Sequence, residues 1–242
     1  MQQVRLGVLV PAANFSVEPE MYKMAPEGVT VHFHRLTAFK KSLVSTPDPL
    51  VKIGYFEEAG EEAVSAAQVL AQVEPKVIAF GDTSASFFKG VEYNENLIGK
   101  IKAATGIQAI TTSTAMVEAL RELKLQRICL ITPYIDYLAE KGKEFLEASG
   151  FEVPICKTLS PITHQQGPRT YDYEQVINAY DKSCDGIFCS CTGYKAIDII
   201  ERVERHLGKP MISSNQATMW LMLKLAEVRK PITGFGELME HL

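Results

Sequence analysis

Long apolar runs are missing from this chain. The longest, such as Val8–Ala13, reach about six residues, against the roughly 20 that a bilayer-crossing helix requires. No membrane segment is expected, and the N-terminus lacks the basic-then-apolar pattern of a secretory leader, so the expected location is cytoplasmic. A basic face is missing too. The formal net charge is −4, the isoelectric point is near 5.8, and the lysines and arginines are scattered, which excludes nucleic acid and other polyanions as partners. Paired cysteines are absent: the five are odd in number, with three of them between Cys184 and Cys191, unlike a secreted disulfide framework. Metal-ligand spacing is absent as well. His32, His34, His164, His206 and His241 form no HExxH motif, and Cys184, Cys189 and Cys191 have neither C-x-x-C spacing nor a nearby His, so no metal is expected. With no G-x-G-x-x-G, P-loop or G-x-S-x-G motif, neither nucleotide chemistry nor an α/β-hydrolase elbow is indicated, and no cofactor is expected.

What is present is a chain of 242 residues, 46% hydrophobic and 22% charged, enough to bury one large core or two small ones. Short β-rich runs bounded by Gly, Pro or Ser alternate with helix-period stretches, the pattern of βαβ units and a mostly parallel sheet. Strands are expected at Arg5–Val10, Val29–Arg35, Lys76–Phe80, Gln108–Thr111, Arg127–Thr132, Glu152–Cys156, Gly186–Ser190 and Pro210–Ser213. Helices are expected near Leu50–Val73, Asn94–Thr105, Ser113–Leu123, Tyr137–Ser149, Tyr173–Ser183, Ala196–Leu207 and Ala217–Val228.

The order of elements repeats. Leu6–Pro11 (LGVLVP) answers Ile128–Pro133 (ICLITP), and Val77–Ser86 answers Ile187–Ala196. Chance echoes between α/β segments are the plain alternative. Taken as a duplication, the repeat predicts an α/β fold of two pseudo-symmetric lobes, each a four-stranded mostly parallel sheet flanked by helices. Their bounds would be residues 1–115 and 116–242, with the C-terminal segment returning to the first lobe. Open parallel sheets bind ligands beyond the carboxyl ends of their strands, so Asp82 and Cys191 would face each other across one cleft.

Cys191 follows the strand Gly186–Ser190 and precedes Thr192, Gly193 and a helical stretch. A thiol near a helix start can have a lowered pKa and exchange a proton with carbon. Cys129, Cys156, Cys184 and Cys189 read as inert core residues. The loop Gly81–Ser86, with Asp82, Thr83 and Ser84, can surround a carboxylate with neutral donors and stabilise a developing enediolate; it reads equally as a helix cap. Tyr134 and Asn14, at matching places after their strands, add two donors, as does Thr192. The segment Thr163–Arg169 is polar.

DTSASFFKG at Asp82–Gly90, TPYID at Thr132–Asp136, CSCTG at Cys189–Gly193 and SSNQATMW at Ser213–Trp220 together resemble the arylmalonate decarboxylase and maleate cis-trans isomerase branch of the aspartate/glutamate racemase superfamily. The resemblance spans nearly the whole chain. It implies two duplicated α/β lobes, no cofactor and a small carboxylate or dicarboxylate substrate, and it leaves room for a homo-oligomer. The superfamily typically carries one cysteine per lobe; Cys191 matches the second, and Asp82 stands at the first. On the decarboxylase side of the resemblance, Thr83, Ser84 and Tyr134 would hold the retained carboxylate and Cys191 would protonate the enediolate. Maleate isomerisation, racemisation by Asp82 and Cys191 as an unequal pair, and a two-lobed carboxylate-binding module without chemistry are the alternatives.

Overall fold

The computed structural model describes residues 3–37, 49–159 and 169–242. Two sheets of four parallel strands follow one another along the chain. The first joins β1 (Val4–Pro11), β2 (Val29–Leu36), β3 (Val77–Phe80) and β4 (Gln108–Thr111) in the order β2-β1-β3-β4. The second joins β5 (Arg127–Thr132), β6 (Glu152–Thr158), β7 (Gly186–Cys189) and β8 (Met211–Ser213) in the order β6-β5-β7-β8. The central strands are buried on both faces, as parallel strands covered by helices must be; this is why they read as unbroken apolar runs rather than as alternation.

The helices of the first half are α1 (Val17–Met24), α2 (Pro49–Leu70), α3 (Thr83–Phe87), α4 (Val91–Thr105) and α5 (Thr112–Glu122). Those of the second are α6 (Asp136–Ala148), α7 (Tyr173–Ala179), α8 (Ile200–Leu207), α9 (Ser214–Leu225) and α10 (Glu237–Glu240). The halves join through α5 and α9, which pack on each other, and α9 also lies against α1 and β3 of the first half. Trp220 of α9 is fully buried, and Thr218 Oγ1 donates to Thr112 Oγ1 at 3.2 Å across the α5–α9 seam. Full burial of each such apolar side chain contributes about 1.5–3 kcal/mol.

Every expected strand is present within a residue or two of its expected ends, but several helices differ. The sequence reading contains no α1, α3 or α10. Helix α8 begins at Ile200 rather than Ala196, because the Ala196 and Ile197 amides donate to Glu20 Oε1 at 2.8 and 3.2 Å instead of entering a helix. Helix α7 stops at Ala179 rather than Ser183, where Asp181 Oδ1 takes the Ser183 amide in a side-chain turn. Helix α9 starts three residues earlier than expected, at Ser214, because Ser213 and Gln216 form a capping box.

Among the described residues no helix is long and apolar enough to cross a membrane, and no group of three or more His, Cys, Asp and Glu side chains could hold a metal ion. All five cysteines are free thiols. His164 and residues 163–168 of the polar segment lie outside the described residues.

Candidate active site

The loops at the carboxyl ends of β1, β3, β5, β7 and β8 meet, with Asn14 bonded to Thr192, Thr83 to Ser214, and Tyr134 beside Cys191. Cys191 lies in the turn after β7. Its φ of 145° is one that side chains bearing a Cβ rarely adopt, and such strain persists only where the surroundings over-determine it. Here the Ser190 amide donates to Ile131 O at 2.8 Å, the Tyr171 hydroxyl donates to Ser190 O at 2.7 Å, and the Cys191 amide donates to Ser214 Oγ at 3.0 Å. The residue is partly exposed, with the sulfur in dense packing.

The sequence reading puts this thiol at a helix start with a lowered pKa. The structure corrects both points. The next helix begins at Ile200, so its dipole does not reach the sulfur. Burial pushes the thiol up to about 11, and the Asp82 charge adds to the rise, while the Gly193 N–H, the Tyr134 hydroxyl and Arg169 favour the thiolate. Cys191 is therefore a protonated thiol at neutral pH, with thiolate-stabilising groups beside it.

Tyr134 is buried, its ring edge-on to Phe87 with centroids 6.0 Å apart. Its hydroxyl is also buried and meets no hydrogen-bond partner at full geometry among the described residues.

Asp82 caps α3. Its Oδ1 accepts from the Ala85 amide at 3.1 Å and from Ser84 Oγ at 3.0 Å, and its Oδ2 accepts from the Tyr55 hydroxyl at 3.0 Å. Burial raises its pKa, and these hydrogen bonds oppose the rise. The helix-cap reading of the loop describes this geometry. Ser84 therefore spends its hydroxyl hydrogen on Asp82, and Thr83 Oγ1 donates to Ser214 Oγ at 3.1 Å. Both hydroxyls can turn about their C–O bonds toward a ligand.

The remaining sequence-selected residues join the halves. Asn14 Oδ1 accepts from the Ser16 and Val17 amides at 2.8 and 3.0 Å, which caps α1, and its Nδ2 donates to Thr192 Oγ1 at 3.2 Å. Ser16 Oγ donates to Gly193 O at 3.0 Å. Asp82, Thr83, Tyr134, Cys191, Thr192 and Asn14 are thus brought together; Ser84 sits beside them, turned to Asp82.

Several residues of the site escape sequence reading. Ser214 bridges Thr83 and the Cys191 amide, and the SSN triplet was the available signal. Glu20 is buried. It accepts from Asn215 Nδ2 at 2.6 Å as well as from Ala196 and Ile197, and Asn215 Nδ2 also donates to Thr192 O at 3.1 Å. A carboxylate on α1 thereby ties down both ends of the turn after Cys191, and burial raises its pKa. Arg169 brings a cation to a site expected to be lined by neutral donors.

These loops fall inside a wider likeness. A family model described as arylmalonate decarboxylase matches residues 6–239. The arylmalonate decarboxylase of Bordetella bronchiseptica is 33% identical over 188 residues, covering 75% of this chain and 78% of that one. The maleate isomerase of Nocardia farcinica is 28% identical over 249 residues, covering 98% and 96%. A crystal structure of arylmalonate decarboxylase superposes with a TM-score of 0.78 at 27% identity, covering 98% of this chain and 100% of that one. The matched segment takes in both sheets and every loop of the site, and the chain belongs to the arylmalonate decarboxylase family.

Proposed function

We propose that the protein decarboxylates a 2-substituted malonate without a cofactor. In this reading Thr83, Ser84 and the Tyr134 hydroxyl donate to the carboxylate that is kept. The bond from Cα to the second carboxyl breaks, carbon dioxide leaves, and the electron pair spreads into the enediolate that these donors stabilise. Cys191 then gives its proton to Cα, Tyr134 and the Gly193 N–H stabilise the thiolate, and water restores the proton. Asp82 and Glu20 position the two loops, and Thr192 and Asn14 hold them together. The observation that carries the reading is the Cys191 side chain: a protonated thiol on a strained backbone, next to the buried Tyr134 hydroxyl that favours its thiolate. That is the resting state a proton donor to carbon needs. Five free thiols favour a reducing compartment, and we place the protein in the cytoplasm.

A second reading has its own support. The Asp82 carboxyl is raised by burial and its charge acts on Cys191, so the two could form an unequal acid/base pair that racemises or isomerises a carboxylate. Proton NMR in deuterium oxide separates these, with phenylmalonate, methylmalonate, maleate and each enantiomer of aspartate as separate substrates. The expected result is loss of a malonate signal with one deuteron gained at Cα. Fumarate from maleate, or Cα exchange in aspartate, would move the assignment to isomerase or racemase. Cys191→Ala should keep ligand binding and lose turnover, whereas binding without turnover in the wild type would mark a carboxylate-binding module.

A further inference from the structure

Ser214 stands fully buried at the first turn of α9, between the loop after β3 and the turn after β7. Its Oγ accepts the Cys191 amide at 3.0 Å and the Thr83 hydroxyl at 3.1 Å. A hydroxyl offers two lone pairs and one hydrogen. Both lone pairs are engaged here, and among the described residues no acceptor takes the hydrogen. The backbone around it is fixed. Ser214 O accepts from Thr218 Oγ1 at 2.7 Å, Ser213 and Gln216 close their capping box on one side, and Asn215 Nδ2 on the other donates to Glu20 and to Thr192 O. Ser214 cannot swing out to a ligand, so whatever it does for one it does through Thr83 or Cys191.

Thr83 Oγ1 donates to Ser214 and accepts from no described residue. In the decarboxylation reading it turns its hydrogen to the carboxylate that the substrate keeps. That alone would leave the Ser214 hydrogen and the Thr83 lone pairs facing each other unpaired, at a separation of 3.1 Å that already suits a hydrogen bond. Reversing the bond pairs them without moving either oxygen. A hydroxyl that accepts one hydrogen bond also donates the next more strongly, so the reversal tightens the hold of Thr83 on the anion. Ser84 has no such exchange. Its hydrogen lies on Asp82 Oδ1 at 3.0 Å, and an ionised carboxylate has no hydrogen to return.

We propose that Ser214 is a positioning residue whose hydrogen bond with Thr83 reverses when a carboxylate binds. Thr83 turns its hydrogen to the ligand, Ser214 donates to Thr83 Oγ1, and the Cys191 amide stays on Ser214 Oγ. The hold on the carboxylate and the backbone of the proton donor then share one oxygen atom. The part given to Thr83 rests on the proposed function; the pairing of the two hydroxyls does not.

The test is calorimetric titration of the full chain with two acid and amide pairs, phenylacetate with phenylacetamide and propionate with propionamide. The acids are the products that phenylmalonate and methylmalonate would leave. In at least one pair the wild type should prefer the acid by about 10- to 100-fold, the range of charge-assisted hydrogen bonds. Ser214→Ala should cut that preference about fivefold while changing amide affinity by no more than about twofold. Thr83→Val should cut it about tenfold, and adding Ser214→Ala should cut it no further, because the serine acts only through the threonine. A merely structural serine predicts equal losses for acid and amide, and effects that multiply in the double variant. Either result overturns the proposal, as does a wild type with no acid preference in both pairs. If Ser214→Ala fails to fold by circular dichroism, Ser214→Cys, with a weak donor in the same place, decides by the same comparison. Turnover separates this proposal from the reading beneath it. The expected preference and its loss, with no decarboxylation of phenylmalonate or methylmalonate, sinks the decarboxylase assignment and leaves the coupling of Ser214 to Thr83 standing.

Discussion

The charge state of Cys191 separates a proton donor from a nucleophile, and alkylation reads it directly. With a thiol pKa of about 11, the thiolate fraction at pH 8 is about one in a thousand, whereas an unperturbed cysteine near 8.5 is about one quarter thiolate. The rarer thiolate is also the more basic, and a nucleophilicity slope of about 0.4–0.5 per pKa unit recovers roughly tenfold of that deficit. Cys191 should therefore react with iodoacetamide roughly 20-fold slower than a free thiol at pH 8. Its logarithmic rate should climb with a slope near one up to about pH 10, in line with a thiol pKa of about 11. The measurement is site-resolved mass spectrometry of labelled protein across pH 6–10.5. Cys156, the other partly exposed thiol, serves as an internal comparison, while Cys129, Cys184 and Cys189 are buried. The variants carry signs. Tyr134→Phe removes a group that favours the thiolate and should slow labelling further; Asp82→Asn removes a charge that opposes it and should speed labelling. A rate that levels off below pH 8 would show a resting thiolate and refute the proton-donor mechanism.

Three more outcomes follow from single contacts. Gly193→Ala meets only ordinary van der Waals neighbours, at 3.5–3.9 Å, so its melting temperature should match wild type. Its methyl stands 3.5 Å from the Cys191 sulfur, so kcat/KM should fall by about 10- to 100-fold; unchanged kinetics would show that substrate does not approach the thiol from that side. Glu20→Gln turns one acceptor into a donor facing Asn215 Nδ2, which should cost about 1–3 kcal/mol in urea unfolding and lower kcat by loosening the turn after Cys191. Glu204, which accepts from the Met211 and Glu237 amides, is raised by burial from 4.5 to about 7. Because the folded value is the higher one, its contribution is complete below pH 4.5 and is lost as pH rises through 7, a decline of at most about 3 kcal/mol before solvent screening. Glu204→Gln should flatten urea-midpoint dependence in that window, and an unchanged slope would discount the group.

The strands and their pairing into two like sets were legible because parallel strands covered on both faces become continuous apolar runs such as Val77–Phe80 and Gly186–Cys189. The loops after them were legible for the same reason, which is how Asn14, Asp82, Tyr134 and Cys191 could be selected. Short helices were not. Helix α1 carries Pro19 and several charged residues, and it is anchored by Asn14 at its start and Glu20 within, contacts that no local pattern announces. Likewise α3 is five residues long and exists through the Asp82 cap. The charge state of Cys191 was misread because a helical pattern from Ala196 onward implied a nearby dipole, and only the fold shows Glu20 taking the amides that would have begun it. Arg169 escaped because Cys191, whose thiolate its charge favours, is remote along the chain, and one arginine ending a polar stretch has no motif.

Ser214 accepts the Cys191 amide and the Thr83 hydroxyl at the start of α9, the last long helix along the chain. During synthesis the first lobe emerges with Thr83 and Asp82 in sequence but with the faces of α5 and β3 that α9 will cover still open to water. On the proposed mechanism, chemistry therefore waits for the C-terminal helix to dock. Severing the chain between α5 and β5 should give two inactive pieces whose mixture regains activity by burying that same seam.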